Sequence, residues 1–165
     1  MNTFSYIHIA AATLSYLSAF GIFTRKVGSR QHRMVGIVYA VAMLTTALAG
    51  FFIYTSGRPS VFHVFSAITL LTIGRAWWAI VKFRQTRDRT YLRHHYFNMA
   101  YSFMGLNLAG LGQALRYAPL EGGVNYLTAL GVVYLIVITV ANRLIQKVFY
   151  GRFAPWFGAR VQPAE

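Results

Sequence analysis

At 165 residues the chain has the length of a single domain, but 56% of it is hydrophobic and only 12% is charged, about half the charged share of an ordinary soluble domain. There is no cysteine, which excludes disulfides, thiolate zinc sites and cysteine nucleophiles. Sixteen Lys and Arg stand against three acids, Asp88, Glu121 and Glu165, for a formal charge of +13. On a soluble domain such a balance would suggest nucleic acid. Here the basic residues fall in short clusters between long apolar runs, so nucleic acid is excluded as a partner and a bilayer with anionic lipid is favoured.

The apolar runs, in chain order, are Phe4 to Phe23, Met34 to Tyr54, Val61 to Val81, Tyr96 to Leu115 and Val124 to Asn142. Each is near the ~20 residues of helix that cross a hydrocarbon layer, and backbone groups in lipid must pair within a helix. The expectation is an all-α integral membrane protein, an up-down bundle of five transmembrane helices over residues 1–150. The Gly- and Pro-containing tail, residues 151–165, is expected at the cytoplasmic interface. The first run has no Lys or Arg before it, unlike a cleaved signal peptide, and is read as a true span.

Orientation follows from the loops. Arg25, Lys26, Arg30 and Arg33 follow the first run, Lys82, Arg84, Arg87, Arg89 and Arg93 the third, and Arg143, Lys147, Arg152 and Arg160 the fifth. The opposite loops offer only Arg58 and Arg116. This places the N-terminus outside and the C-terminus in the cytoplasm, in a multi-pass protein of a bacterial inner membrane. Pro59 and Pro119 fall in the outer loops, where they break no helix.

No carboxylate lies within a run, so histidine is the main candidate for chemistry. His8 and His63 sit about one turn inside the outer ends of the first and third helices. His32, His94 and His95 sit at the inner entrances of the second and fourth. Imidazoles from different helices at one depth can share a ligand: His8 with His63, and His32 with His94 or His95. A haem iron takes two axial imidazoles, and small residues such as Ala11, Ala12 and Ser15 beside His8, or Gly105 and Ala109 on the fourth helix, would make room for a macrocycle. The same small residues also let membrane helices pack closely with nothing bound, and an interfacial imidazole can simply sit among headgroups.

The two histidine levels are roughly 25 Å apart by helix rise. That is close to both interfaces, where a bare copper or zinc ion suits imidazole better than haem b. Met99, one turn after His95, could serve copper(I), and Met34 lies near His32. Arg75 is expected to snorkel and stack on Trp77 or Trp78, or else to bind a propionate or lipid phosphate. An ion-coupled transporter would want a buried acid, and a hydrolase a base with an orienting carboxylate; both are disfavoured. The rivals are therefore a metal- or haem-binding electron-transfer protein, an accessory subunit of a larger membrane complex, and a small-solute transporter.

The segments "RQHRMVGIVYAVAMLTTALAG", "FHVFSAITLLTIGRAW" and "HHYFNMAYSFMGLNLAGLGQALRY" together resemble a bacterial family of predicted multi-span membrane proteins catalogued as a domain of unknown function. The resemblance runs from His8 to Arg116. His8, His32, Arg33, Gly36, Tyr39, His63, His95 and Met99 stand at the places of the family's pattern. The doubled "HH" departs from it and leaves open whether His94 or His95 fills that place. The resemblance implies membrane helices and brings no activity.

Overall fold

The computed structural model describes residues 3–54, 57, 60–117 and 125–157. Among them the regular structure is all helical: α1 (Thr3–Thr24), α2 (Arg30–Gly50), α3 (Val61–Thr86), α4 (Thr90–Arg116) and α5 (Tyr126–Arg143). A π-helical turn (Leu144–Phe149), the short α6 (Tyr150–Phe153) and a 3-10 turn (Ala154–Phe157) follow. Arg58, Pro59, Pro119, Glu121, Val124, Arg160 and Glu165 lie outside the described residues.

Among the described residues four stretches are long and apolar enough to cross a membrane: α1, α2, α3 and Tyr126–Lys147. Helix α4 is just as long, 27 residues. It opens on Arg93, His94 and His95, however, and carries Asn98, Asn107 and Gln113 along its length, which dilutes its apolar character. Several helices outrun their apolar runs at the basic ends. Thus α2 begins at Arg30 and α4 at Thr90, while α3 continues to Thr86. The helical backbone keeps its own hydrogen bonds wherever it goes, and long basic side chains reach polar surroundings from the last turns.

The chain divides into two compact units, Met1–Gly74 and Arg75–Glu165. In the first, α1 and α2 form an antiparallel hairpin. Phe4 stacks on Phe52 at 4.7 Å, His8 reaches Thr46, and at the other end a Cβ on Gly21 would lie 3.1 Å from Val35. The turn between them uses Gly28 at φ +74°, a left-handed conformation that glycine adopts without strain. Ser29 then caps α2, its hydroxyl accepting the His32 amide at 3.1 Å.

The residues buried in this unit are mostly small: Ala11, Ser15, Ser18 and Ala19 on α1, and Ala40, Ala42, Thr46, Ala47 and Ala49 on α2, with Tyr39 and Met43. Leu17, Phe20, Val41 and Leu48 are exposed. Water would reverse that arrangement. Lipid does not, because tails are as apolar as leucine and close backbone approach is what joins the helices. The hydroxyls are satisfied within their own helices, Ser15 on the Ala11 carbonyl at 2.9 Å and Thr46 on that of Ala42 at 2.9 Å.

In the second unit the C-terminal part of α3 runs antiparallel to α4, with Ala76 opposite His95 and Trp78 edge-on to Tyr91 at 5.5 Å. Helices α4 and α5 are antiparallel too. The Tyr126 hydroxyl donates to the Gly112 carbonyl at 3.2 Å, that of Tyr101 to Asn142 Oδ1 at 2.9 Å, and that of Tyr96 to the Ile145 carbonyl at 2.8 Å. The Ile145 carbonyl belongs to the π-helical turn, where the wider register presents it to a second donor. Past that turn the chain docks on the start of α4. Tyr96 packs against Phe153 (5.2 Å) and Phe157 (5.6 Å), and the Arg93 guanidinium lies over Phe97 (5.7 Å) and Tyr150 (5.5 Å).

Asp88 links α3 to α4. Arg87 before it takes φ +59°, and its amide closes α3 on the Phe83 carbonyl at 2.9 Å. The Asp88 carboxylate accepts the Thr90 amide at 2.8 Å. The Thr90 backbone and then its side chain, followed by the charge of His94, hold this carboxyl below the usual carboxylate range. A depressed folded-state value means that the contribution is present above the unfolded value and is lost as pH falls through the folded one. Wild type and Asp88→Ala should therefore differ in melting temperature by a constant amount at neutral pH. The gap should close only below about pH 4.

Candidate functional site

In the first unit three helices meet around His8. Its Nδ1 is 2.9 Å from the Thr46 carbonyl of α2. A carbonyl only accepts, so Nδ1 carries the proton and Nε2 keeps its lone pair. That is the form in which an imidazole ligates a metal, with the second nitrogen held by a backbone oxygen. Next to this bond lies Gly50. A Cβ there would be 3.6 Å from His8 Cε1 and Nδ1, and only 2.6 Å from Ser66 Oγ of α3. Helices α1 and α3 thus reach α2 at one point.

His63 lies one turn before Ser66 on α3 and is 9% exposed. Its Nδ1 accepts the Ser60 amide at 3.0 Å and has the Ser60 hydroxyl at 3.2 Å. Tyr54 and Phe51 flank the ring, with centroids 4.9 Å and 6.2 Å away. Since Nδ1 accepts, the neutral ring carries its proton on Nε2. That nitrogen is buried without a hydrogen-bond partner among the described residues, at a cost of about 1–3 kcal/mol. Ligation through Nε2 would require the proton to move to Nδ1, which breaks the bond from the Ser60 amide; Ser60 Oγ, 3.2 Å away, would then accept it.

In the second unit the doubled histidine resolves by direction. His95 Nδ1 is 3.0 Å from the Ala76 carbonyl of α3, so this ring too holds its proton on Nδ1 and keeps the Nε2 lone pair. His94 is exposed, near Tyr91 with 6.4 Å between centroids. Consecutive residues on a helix point about 100° apart, so only one of the two can face α3. If an imidazole is used at this end, His95→Ala should abolish its function and His94→Ala should leave it within twofold, as read by bound metal per protein.

His32 is half-buried in the first turn of α2. It belongs to the first unit, and His94 and His95 to the second. Met99 is half-buried on α4, its carbonyl taking the Ser102 hydroxyl at 2.7 Å. Arg75 is exposed, as are Trp77 and Trp78. Among the described residues Arg75 does not stack on either ring, contrary to expectation. Arg93 makes the cation–π contacts instead, and Trp78 packs on Tyr91. No three His, Cys, Asp or Glu side chains gather into a metal cluster among the described residues.

Sequence reading missed Gly50, Ser60 and the carbonyls of Thr46 and Ala76. A carbonyl leaves no mark in a sequence because every residue has one. Gly50 had a faint signal, four residues after Thr46 on the same face of α2.

Apolar helices with large side chains outward and small ones within define a polytopic α-helical membrane protein. The chain belongs to the family described as "Predicted membrane protein (DUF2306)", whose pattern matches residues 5–149. No curated protein and no solved structure matches the chain.

Proposed function

We propose that this is an electron-transfer protein of the bacterial cytoplasmic membrane, with five spans, its N-terminus outside and its C-terminus inside. Its histidines carry haem b or a transition-metal ion. The observation that carries this reading is the state of the outer pair. His8 has its Nδ1 proton committed to the Thr46 carbonyl, and His63 has a buried Nε2 that nothing among the described residues pairs. One imidazole is in ligand form and the other lacks a partner, in the same unit. A bound iron or copper would supply one-electron chemistry; the protein holds and shields it.

Four further observations bear on the proposal. Ala11 and Ser15, which would have to frame a macrocycle beside His8, are buried in helix packing, and this favours a bare ion at the outer level. On α4 His95 is in ligand form as well, with Met99 of the same helix as a further donor. Arg75, exposed and without a partner among the described residues, suits a propionate or a lipid phosphate. The clustered basic residues favour anionic lipid at the cytoplasmic face, where residues 151–165 would lie.

The test is a visible spectrum of the purified protein before and after dithionite, with elemental analysis of the same sample. A Soret band with sharpened α and β bands identifies haem, and stoichiometric copper, zinc or iron without it identifies an ion. Metal-free protein from metal- and haem-replete cells rejects the reading. If that protein co-purifies in a stoichiometric larger complex, the accessory-subunit role replaces it.

A further inference from the structure

We infer that Gly50 is the positioning residue for His8. The bare Cα at this position lets His8 reach the Thr46 carbonyl while Ser66 packs against α2. In an α-helix the amide of residue i+4 shares the carbonyl of residue i, and a side chain leans back over the turn before it. Residue 50 is therefore the one whose side chain would stand beside the Thr46 oxygen. With glycine there, the oxygen can take a second donor on its other lone pair, and His8 Nδ1 sits 2.9 Å from it.

Ser66 tightens the arrangement from the other side. Its Oγ would be 2.6 Å from a Cβ on residue 50, closer than two such atoms approach, and Ser66 is itself buried. His8 would lie 3.6 Å from that Cβ, at ordinary contact distance. The clash is thus with Ser66 alone. An alanine at 50 has to push α3 away or turn the hydroxyl towards His8, and either movement disturbs the His8 bond. Removing the hydroxymethyl at 66 relieves the clash and leaves His8 in place. The positioning role stands on these distances; that His8 then holds a metal rests on the function proposed above.

The experiment uses 15N-labelled full chain in nanodiscs, reading the His8 Nδ1–H signal, assigned by its loss in His8→Gln. Gly50→Ala is expected to abolish the signal with helical content unchanged, and Gly50→Ala with Ser66→Gly to restore it. Persistence of the signal in Gly50→Ala overturns the inference. Where Gly50→Ala alone does not fold, the double variant decides: a folded double variant with the signal supports the role, and one without it overturns it. Metal titration of the same samples separates the two proposals. Affinity should fall about 10–100-fold in Gly50→Ala and recover in the double variant. Wild type that binds no metal but shows the expected signals leaves the positioning role intact and removes the metal.

Discussion

Replacing His8 by Ala is expected to lower binding of the proposed outer metal more than 100-fold, beyond the roughly 10–100-fold typical of a lost supporting contact. The fold should be kept. His8 contributes one side-chain bond to a carbonyl that already serves the α2 backbone, so its removal leaves no carbonyl without a donor. His63→Ala should cost the same metal but for a different reason, since it also removes the acceptor of the Ser60 amide and loosens the start of α3. Metal content per protein and helical content by circular dichroism, measured together on both variants, separate the two effects. Equal metal in wild type and His8→Ala would end the case for an outer site.

The second large effect is expected at Ser15. This residue is 0% exposed, among the small residues that let α1 and α2 approach. Ser15→Leu adds methylenes where no space exists and should destabilise the protein by about 1–3 kcal/mol, the range for overpacked cores. Ser15→Ala should change stability far less, because the hydroxyl bonds to the Ala11 carbonyl of its own helix, whose helical hydrogen bond remains. Unfolding in mixed micelles reads both variants. A Leu variant as stable as wild type would show that α1 and α2 can separate freely.

How much of this was legible beforehand differs from element to element. Helices α1, α2 and α3 and the final span are visible as apolar runs of about the right length, because lipid allows no other backbone solution. Their ends were less legible: α2 and α4 begin in basic segments, since hydropathy reports where lipid ends and the backbone hydrogen bonds go further. The tail was expected only to lie at the interface. Its docking through Tyr150, Phe153 and Phe157 onto Tyr96 depends on a π-helical turn that no local pattern announces.

The candidate site divides in the same way. Depth along a helix is a matter of counting, so the sequence alone placed His8, His32, His63 and His95 each near an end of its helix, and the structure has each within the first two turns. It could not decide between His94 and His95, because that depends on how α4 is rotated about its own axis against α3. Nor could it tell which nitrogen of each ring is free, because the proton follows the nearest backbone group in space: the Thr46 and Ala76 carbonyls draw it to Nδ1 in His8 and His95, and the Ser60 amide drives it to Nε2 in His63. Composition and the length of the apolar runs determined that this chain is a set of membrane helices bearing imidazoles. Only the tertiary structure decided which of those imidazoles are in ligand form, since a tautomer is set by a hydrogen-bond partner that, for His8 and His95, lies on another helix.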